Sequence, residues 1–177
     1  PPIAAWVSLP VGVVNLSEMY PENHEDRAGW YTEMKAHVLG EIRKQNRDKQ
    51  FTNMFQDGKG HIVGTSGTIT SLAGVLMGLS HYQRDKIDGI WVNGPAIIAT
   101  GRDLIDMPYA VRQSVPCVGE DRATMISAGC AILDVIYELW PSAKIRVADR
   151  GLREGMLMGL MNKSQIIPTR KRPEHGQ

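Results

Sequence analysis

Apolar positions recur along the chain in two rhythms, and most of the expected elements follow from where one gives way to the other. Ile3 to Leu9 is apolar with β-branched residues, stops at Pro10, and predicts a strand. Val11 to Leu16 reads as its continuation past a kink. Tyr20 to Arg27 is polar, contains Pro21, and reads as a loop. Trp30, Met34, Val38 and Ile42 then recur at intervals of four, which puts them on one face of a helix. Lys35, Glu41, Arg43 and Lys44 fall on its wet side, and the charged stretch from Lys44 to Lys49 ends it. Asp57-Gly58-Lys59-Gly60 is a turn signal, followed by a short strand at His61-Ile62-Val63.

Ile69 to Leu79 predicts a helix with Leu72, Val75, Leu76 and Leu79 facing inward. Ile87 to Val92 predicts a strand, and helices are expected at Pro95 to Asp106 and Pro108 to Ser114. Glu120 to Leu139 carries the strongest helical pattern. Its apolar positions are too many for one stripe, and Ala123, Ala128, Gly129 and Ala131 are small enough for close packing, so it should be central and mostly buried. Ile145 to Ala148 is a strand, Asp149-Arg150-Gly151 a turn, and Leu152 to Met161 a helix whose Met156, Met158 and Met161 should fill packing gaps. Residues 1–163 read as one domain and 164–177, with Arg170-Lys171-Arg172, as a flexible basic tail. Strands alternating with helices predict an α/β domain with its strands in one sheet.

Composition narrows the classes. At 177 residues and 42% hydrophobic the chain can bury a core as a single domain. A net charge of +1 gives no global pull towards nucleic acid or membrane. No apolar run approaches the ~20 residues of a membrane span, and the opening Pro1-Pro2-Ile3-Ala4-Ala5 lacks the features of a signal peptide. That opening has no initiator Met, so a piece of a longer protein is the expectation. Cys117 and Cys130 make neither a disulfide framework nor a zinc site, and a reducing cytoplasm is the simplest compartment. The histidines show no metal-ligand spacing.

The chemistry-bearing segment is Gly64-Thr65-Ser66-Gly67-Thr68, a strand end turning into a helix. The first turn of a helix has unpaired N–H groups and the positive end of the helix dipole, which suits a phosphate. Gly64 and Gly67 leave room for it, and Ser66 and Thr68 add hydroxyls. The competing reading is a plain N-cap by Ser66 or Thr68 with no ligand. A serine-hydrolase elbow needs Gly at position 68, where Thr stands, and a Walker loop needs a Lys this loop lacks. A second strand–turn–helix at Val147 to Gly155 also points a helix start outward; there the structural reading is favoured, with Asp149 as cap and Gly151 as turn.

At these segments the sequence resembles the Ppx/GppA family of exopolyphosphatases and guanosine pentaphosphate phosphohydrolases. Ser8 to Glu18 resembles the opening of that family's C-terminal lobe, and Gly64 to Thr68 its Gly-x-Ser-Gly-Thr loop. Arg122 to Leu133 resembles its Arg-x-x-x-Ile-x-x-Gly helix, and Asp149 to Gly155 its closing motif. Asn15 and Thr124 depart from it, standing where many relatives carry a basic residue and an Asp. The resemblance implies one ribonuclease-H-like α/β lobe of the actin, Hsp70 and sugar-kinase (ASKHA) kind. It implies hydrolysis of a terminal phosphoryl group from polyphosphate, or alternatively from guanosine pentaphosphate. Magnesium and a water-orienting glutamate would come from the missing N-terminal lobe, so no catalytic or metal-binding residue is expected in this chain. By motif, Gly64, Ser66, Gly67 and Thr68 are the expected phosphate contacts, with Arg122 a further candidate. A homodimer is the expected assembly. A reading of another class is a non-catalytic module that binds nucleotide or dimerises.

Overall fold

The computed structural model describes residues 5–45, 48–55 and 60–164. A small sheet organises it. β1 (Ile62–Gly64), β2 (Trp91–Asn93) and β3 (Lys144–Val147) lie in the order β1-β3-β2. β1 runs parallel to β3, with Ile62 opposite Ile145 and Gly64 opposite Val147. β2 runs antiparallel on the other side of β3, with Val92 also opposite Ile145. Both Ile145 and Val147 are fully buried, so the middle strand is the floor of the core.

The helices cover this floor. α2 (Arg27–Lys44) starts where the Asp26 carboxylate accepts the Gly29 amide at 2.8 Å, a side-chain cap of the expected kind. It ends on Arg43 and Lys44, cations suited to the negative end of the helix dipole. Trp30, Met34, Val38 and Ile42 are its buried residues, as their spacing requires. α9 (Met125–Leu139) is the central helix and packs against α2, against α1 (Val13–Met19) and against α6 (Gly94–Asp106). Ile126, Ala128, Cys130, Ala131 and Val135 are buried along it. The long helix expected from Glu120 is interrupted at Thr124, which separates α8 (Glu120–Ala123) from α9. Thr124 keeps helical dihedrals (φ −75°, ψ −42°), so the chain passes from α8 to α9 without reversing.

Three expectations need correction. Residues 5–9 are not a strand, because nothing among the described residues pairs with them in a sheet; residues 3 and 4 lie outside the described set. Trp6, Val7 and Leu9 instead line an apolar hollow of about 330 Å³ with Ile42, Phe51 and Trp140. Val13 to Leu16 belongs to α1, a helix held at its start by Asn15, whose Oδ1 accepts the Gly12 amide at 2.7 Å. The strand expected from Ile87 is shorter: Ile87 closes α5 (Arg84–Ile87), Gly89 turns at φ 81°, and only then does β2 begin. α3 (Asp48–Phe55) stands where only the charged end of α2 was read. Of the expected turn at 57–60, residues 57–59 fall outside the described residues, as do residues 165–177 of the expected tail at 164–177; Ser164 closes α10.

α4 (Gly67–Leu76) and α7 (Tyr109–Arg112) complete the packing, and α10 (Leu152–Ser164) follows β3. Arg112 is fully buried: its Nε donates to the Ala123 carbonyl at 3.0 Å, its Nη1 to the Leu104 carbonyl at 3.4 Å, and its Nη2 pairs with Glu22. α10 corrects another expectation. Met156, Met158 and Met161 fill no gap; they stand 60%, 63% and 63% exposed, beside exposed Leu157 and Leu160. No helix among the described residues is long and apolar enough to cross a membrane.

Candidate functional site

β1 and β3 point the same way, so their carboxyl ends open on one edge of the sheet, the edge at which open α/β sheets place ligands. The Ala148 amide donates to the Gly64 carbonyl at 2.9 Å and ties the turn after β3 to the loop after β1. A Cβ on Gly151 would lie 3.9 Å from the Thr65 carbonyl oxygen, so the two turns are neighbours.

α4 begins at Gly67, two residues before the Ile69 start that the apolar pattern indicates. Gly67 and Thr68 are therefore the first turn of a helix capped by Ser66. The Ser66 Oγ accepts the Ile69 amide at 3.4 Å, at the long end for such a bond. The amides of Gly67 and Thr68 have no acceptor among the described residues. Ser66 and Gly67 are exposed, and Thr68 is half-buried. The cap and anion readings thus describe one turn: the cap uses one amide and leaves two open donors at the positive end of the helix.

The small residues of the loop divide their work. A Cβ on Gly64 would sit 2.8 Å from Ile69 Cγ1, so the bare backbone there lets α4 close down on β1 rather than making space for a ligand. The position of a Cβ on Gly67 is 3.7 Å from Arg122 Nη1, with no closer obstacle. Thr68 turns its side chain inward: a Cβ on Gly129 of α9 would meet Thr68 Oγ1 at 2.1 Å, so Thr68 fits only because Gly129 is bare. What Thr68 leaves for an anion is its amide.

Arg122, on α8, reaches this turn. Its Nη1 donates to Ser71 Oγ at 2.9 Å and to the Gly67 carbonyl at 3.4 Å. A cavity of about 190 Å³ lies between them, lined by Val13, Ser66, Gly67, Thr68, Arg122 and Met125. The structure thus brings all five sequence candidates to one end of α4, with Gly64 in a packing position and Ser66, Gly67, Thr68 and Arg122 on the cavity. Ser71 is new. A serine in mid-helix carries no pattern of its own, and its only sequence hint is a hydroxyl on an otherwise apolar face.

The second turn is differently occupied. Asp149 does not cap α10: its carboxylate pairs with Arg84 and accepts from the Tyr82 hydroxyl, while its amide donates to Asp88 Oδ1 at 2.9 Å. Glu154 takes the capping role, its Oε2 accepting the Gly151 amide at 2.9 Å. That bond holds the Glu154 carboxyl below the usual carboxylate range. The Gly151 amide is already spoken for, so the structural reading of this turn stands, with a different residue as the cap.

The profile of the Ppx/GppA phosphatase family matches residues 2–164. The chain belongs to that family. A Ppx/GppA family member from Aquifex aeolicus superposes with a TM-score of 0.70 at 26% identity, over 89% of this chain and 49% of its own. An exopolyphosphatase-like protein superposes at 0.75 with 20% identity, over 89% of this chain and 51% of its own. An exopolyphosphatase from Cytophaga hutchinsonii superposes at 0.69 with 17% identity, over 86% and 48%. The last two bear on fold alone. The fold is the expected one, an α/β lobe of the ASKHA kind as found in Ppx/GppA proteins. The chain spans about half the length of these solved relatives. No curated protein matches it.

Proposed function

We propose that this chain is the phosphate-gripping C-terminal lobe of a phosphohydrolase that releases terminal phosphate from inorganic polyphosphate. Family membership supports phosphatase chemistry in the parent. The observation that carries the reading for this chain is the pair of open amides at Gly67 and Thr68, with the Arg122 guanidinium on the same turn. In phosphoryl transfer the protein mainly positions the substrate and neutralises charge on the phosphoryl oxygens. Two helix-end amides and one guanidinium supply that neutralisation with fixed donors.

Among the described residues no three His, Cys, Asp or Glu side chains converge to hold a metal ion. On this reading the ligands for magnesium, and the group that orients the attacking water, belong to the portion of the relatives' length that this chain does not span.

Calorimetric titration with sodium tripolyphosphate tests the proposal. Saturable binding that weakens as salt rises is expected, with sodium sulfate binding far less well. Parallel titration with guanosine pentaphosphate sets the substrate preference: tighter binding of the nucleotide would move the assignment to the pentaphosphate. Absence of binding to either at millimolar ligand would end the anion reading and leave the loop a simple cap.

A further inference from the structure

Ser71 lies one helical turn beyond Gly67 on α4 and is fully buried. A buried hydroxyl needs a partner, and a helical serine ordinarily finds it in the carbonyl four residues back. Here the carbonyl four back is that of Gly67, and Arg122 has entered between the two groups. One nitrogen, Nη1, donates to the Ser71 Oγ at 2.9 Å and to the Gly67 oxygen at 3.4 Å. Both N–H groups of Nη1 are thereby used. A guanidinium has five N–H donors in a rigid plane. Pinning one nitrogen at two acceptors fixes that plane and leaves Nε and Nη2, which have no acceptor among the described residues. Those two form one edge of the fork, the edge that matches two oxygens of a phosphate.

We infer that Ser71 is the positioning residue that holds Arg122 with its Nε–Nη2 edge presented to a phosphoryl group at the first turn of α4. The inference rests on the phosphate reading of that turn. It assigns Ser71 no contact with substrate. Ser71 converts a long, exposed arginine into a fixed donor pair by removing rotamer freedom before the ligand arrives, which raises affinity without adding a contact. A Cβ on Gly67 would lie 3.7 Å from Arg122 Nη1, an ordinary contact distance, so the hold on the guanidinium comes from Ser71 and the Gly67 carbonyl and not from the missing side chain.

The test is a double-mutant cycle read by titration with sodium tripolyphosphate. Ser71→Ala should weaken binding by about three- to tenfold, the range of one net hydrogen bond. Arg122→Met should weaken it more. In the Arg122→Met background, Ser71→Ala should do nothing further. A nitrogen-15 spectrum of Arg122 supplies a readout that folding stability does not move: separate Nη signals in the wild type, merged in Ser71→Ala. Should Ser71→Ala unfold, Ser71→Thr keeps the hydroxyl and should retain wild-type affinity and the separated signals. Equal weakening by Ser71→Ala with and without Arg122, or merged signals in the wild type, overturns the inference. If wild type itself fails to bind tripolyphosphate, the phosphate reading falls and the ligand role of Ser71 falls with it, whatever the spectrum shows.

Discussion

At the scale of single residues, neighbouring groups with similar chemistry have unlike roles, and burial decides which. Thr68 is clamped over a bare Gly129, where a methyl would come within 2.1 Å of its Oγ1. Gly129→Ala should therefore destabilise the chain by about 1–3 kcal/mol through overpacking, and urea unfolding measures it. The same variant should loosen the first turn of α4 and weaken tripolyphosphate binding. Arg112 is a fully buried cation whose partner is Glu22. Removing one member of a buried pair leaves the other charge stranded, so Glu22→Ala should cost about 3–5 kcal/mol in the same assay. Tyr31 donates to the buried Asp134 carboxylate at 3.1 Å, and burial, aided by negative neighbours, pushes its phenol far above the usual range. A raised pKa means the folded state favours the neutral phenol. Its contribution is fully present below about pH 10, where the unfolded phenol titrates, and is lost as pH rises beyond it. Urea midpoints should fall above that pH, and Tyr31→Phe should flatten the fall. Burial, with Asp134 adding to it, likewise lifts the Cys130 thiol to about 12, so at pH 8 alkylation should reach Cys130 only after unfolding.

At the scale of elements, legibility followed periodicity. α2 could be read because its buried residues keep helical spacing; its cap, Asp26, came to light only in the structure. α1 was hidden by β-branched Val11, Val13 and Val14, which resemble a strand until Asn15 is seen closing on Gly12. α3 is polar in sequence, and what it gains is tertiary: Phe51 packs edge-on against Trp140, whose Nε1 donates to Thr52 at 3.1 Å. Such contacts come from far along the chain and leave no local mark. α10 shows the reverse case, a helix readable in outline whose methionines were assigned to a core that does not meet them. Since Leu157 and Met158 are 60% and 63% exposed, changing both to Gln should shift stability by no more than about 0.5 kcal/mol. The same change should reduce binding of an apolar dye, which fluorescence reports.

At the scale of the molecule, the candidate site was legible as a loop but not as a constellation. Gly-x-Ser-Gly-Thr announces a strand-to-helix turn, and Arg122 was nominated only through the motif it begins. The pin that joins them, Ser71, could not be seen without the crossing of α4 and α8. The site's charge is equally a whole-chain matter. Net charge is only +1, so the chain as a whole exerts no strong pull on a polyanion, and the proposed binding has to rest on donors at the end of α4. Raising salt from about 0.05 to 0.5 M should weaken tripolyphosphate binding in wild type and do so less steeply in Arg122→Met, as titration at several salt concentrations would show.

The partnering of β1 with β3 has a consequence for how the protein is born. On the phosphate reading, the strand that leads into the grip is made before its sheet neighbour β3, the last strand of the sheet among the described residues. Until Lys144–Val147 leaves the ribosome, Ile62–Gly64 has no strand among the described residues to pair with, and the turn that follows it lacks the Ala148-to-Gly64 bond that ties its stem. If that turn is the phosphate grip proposed above, a ribosome-held chain should not bind tripolyphosphate until β3 is free to pair with β1.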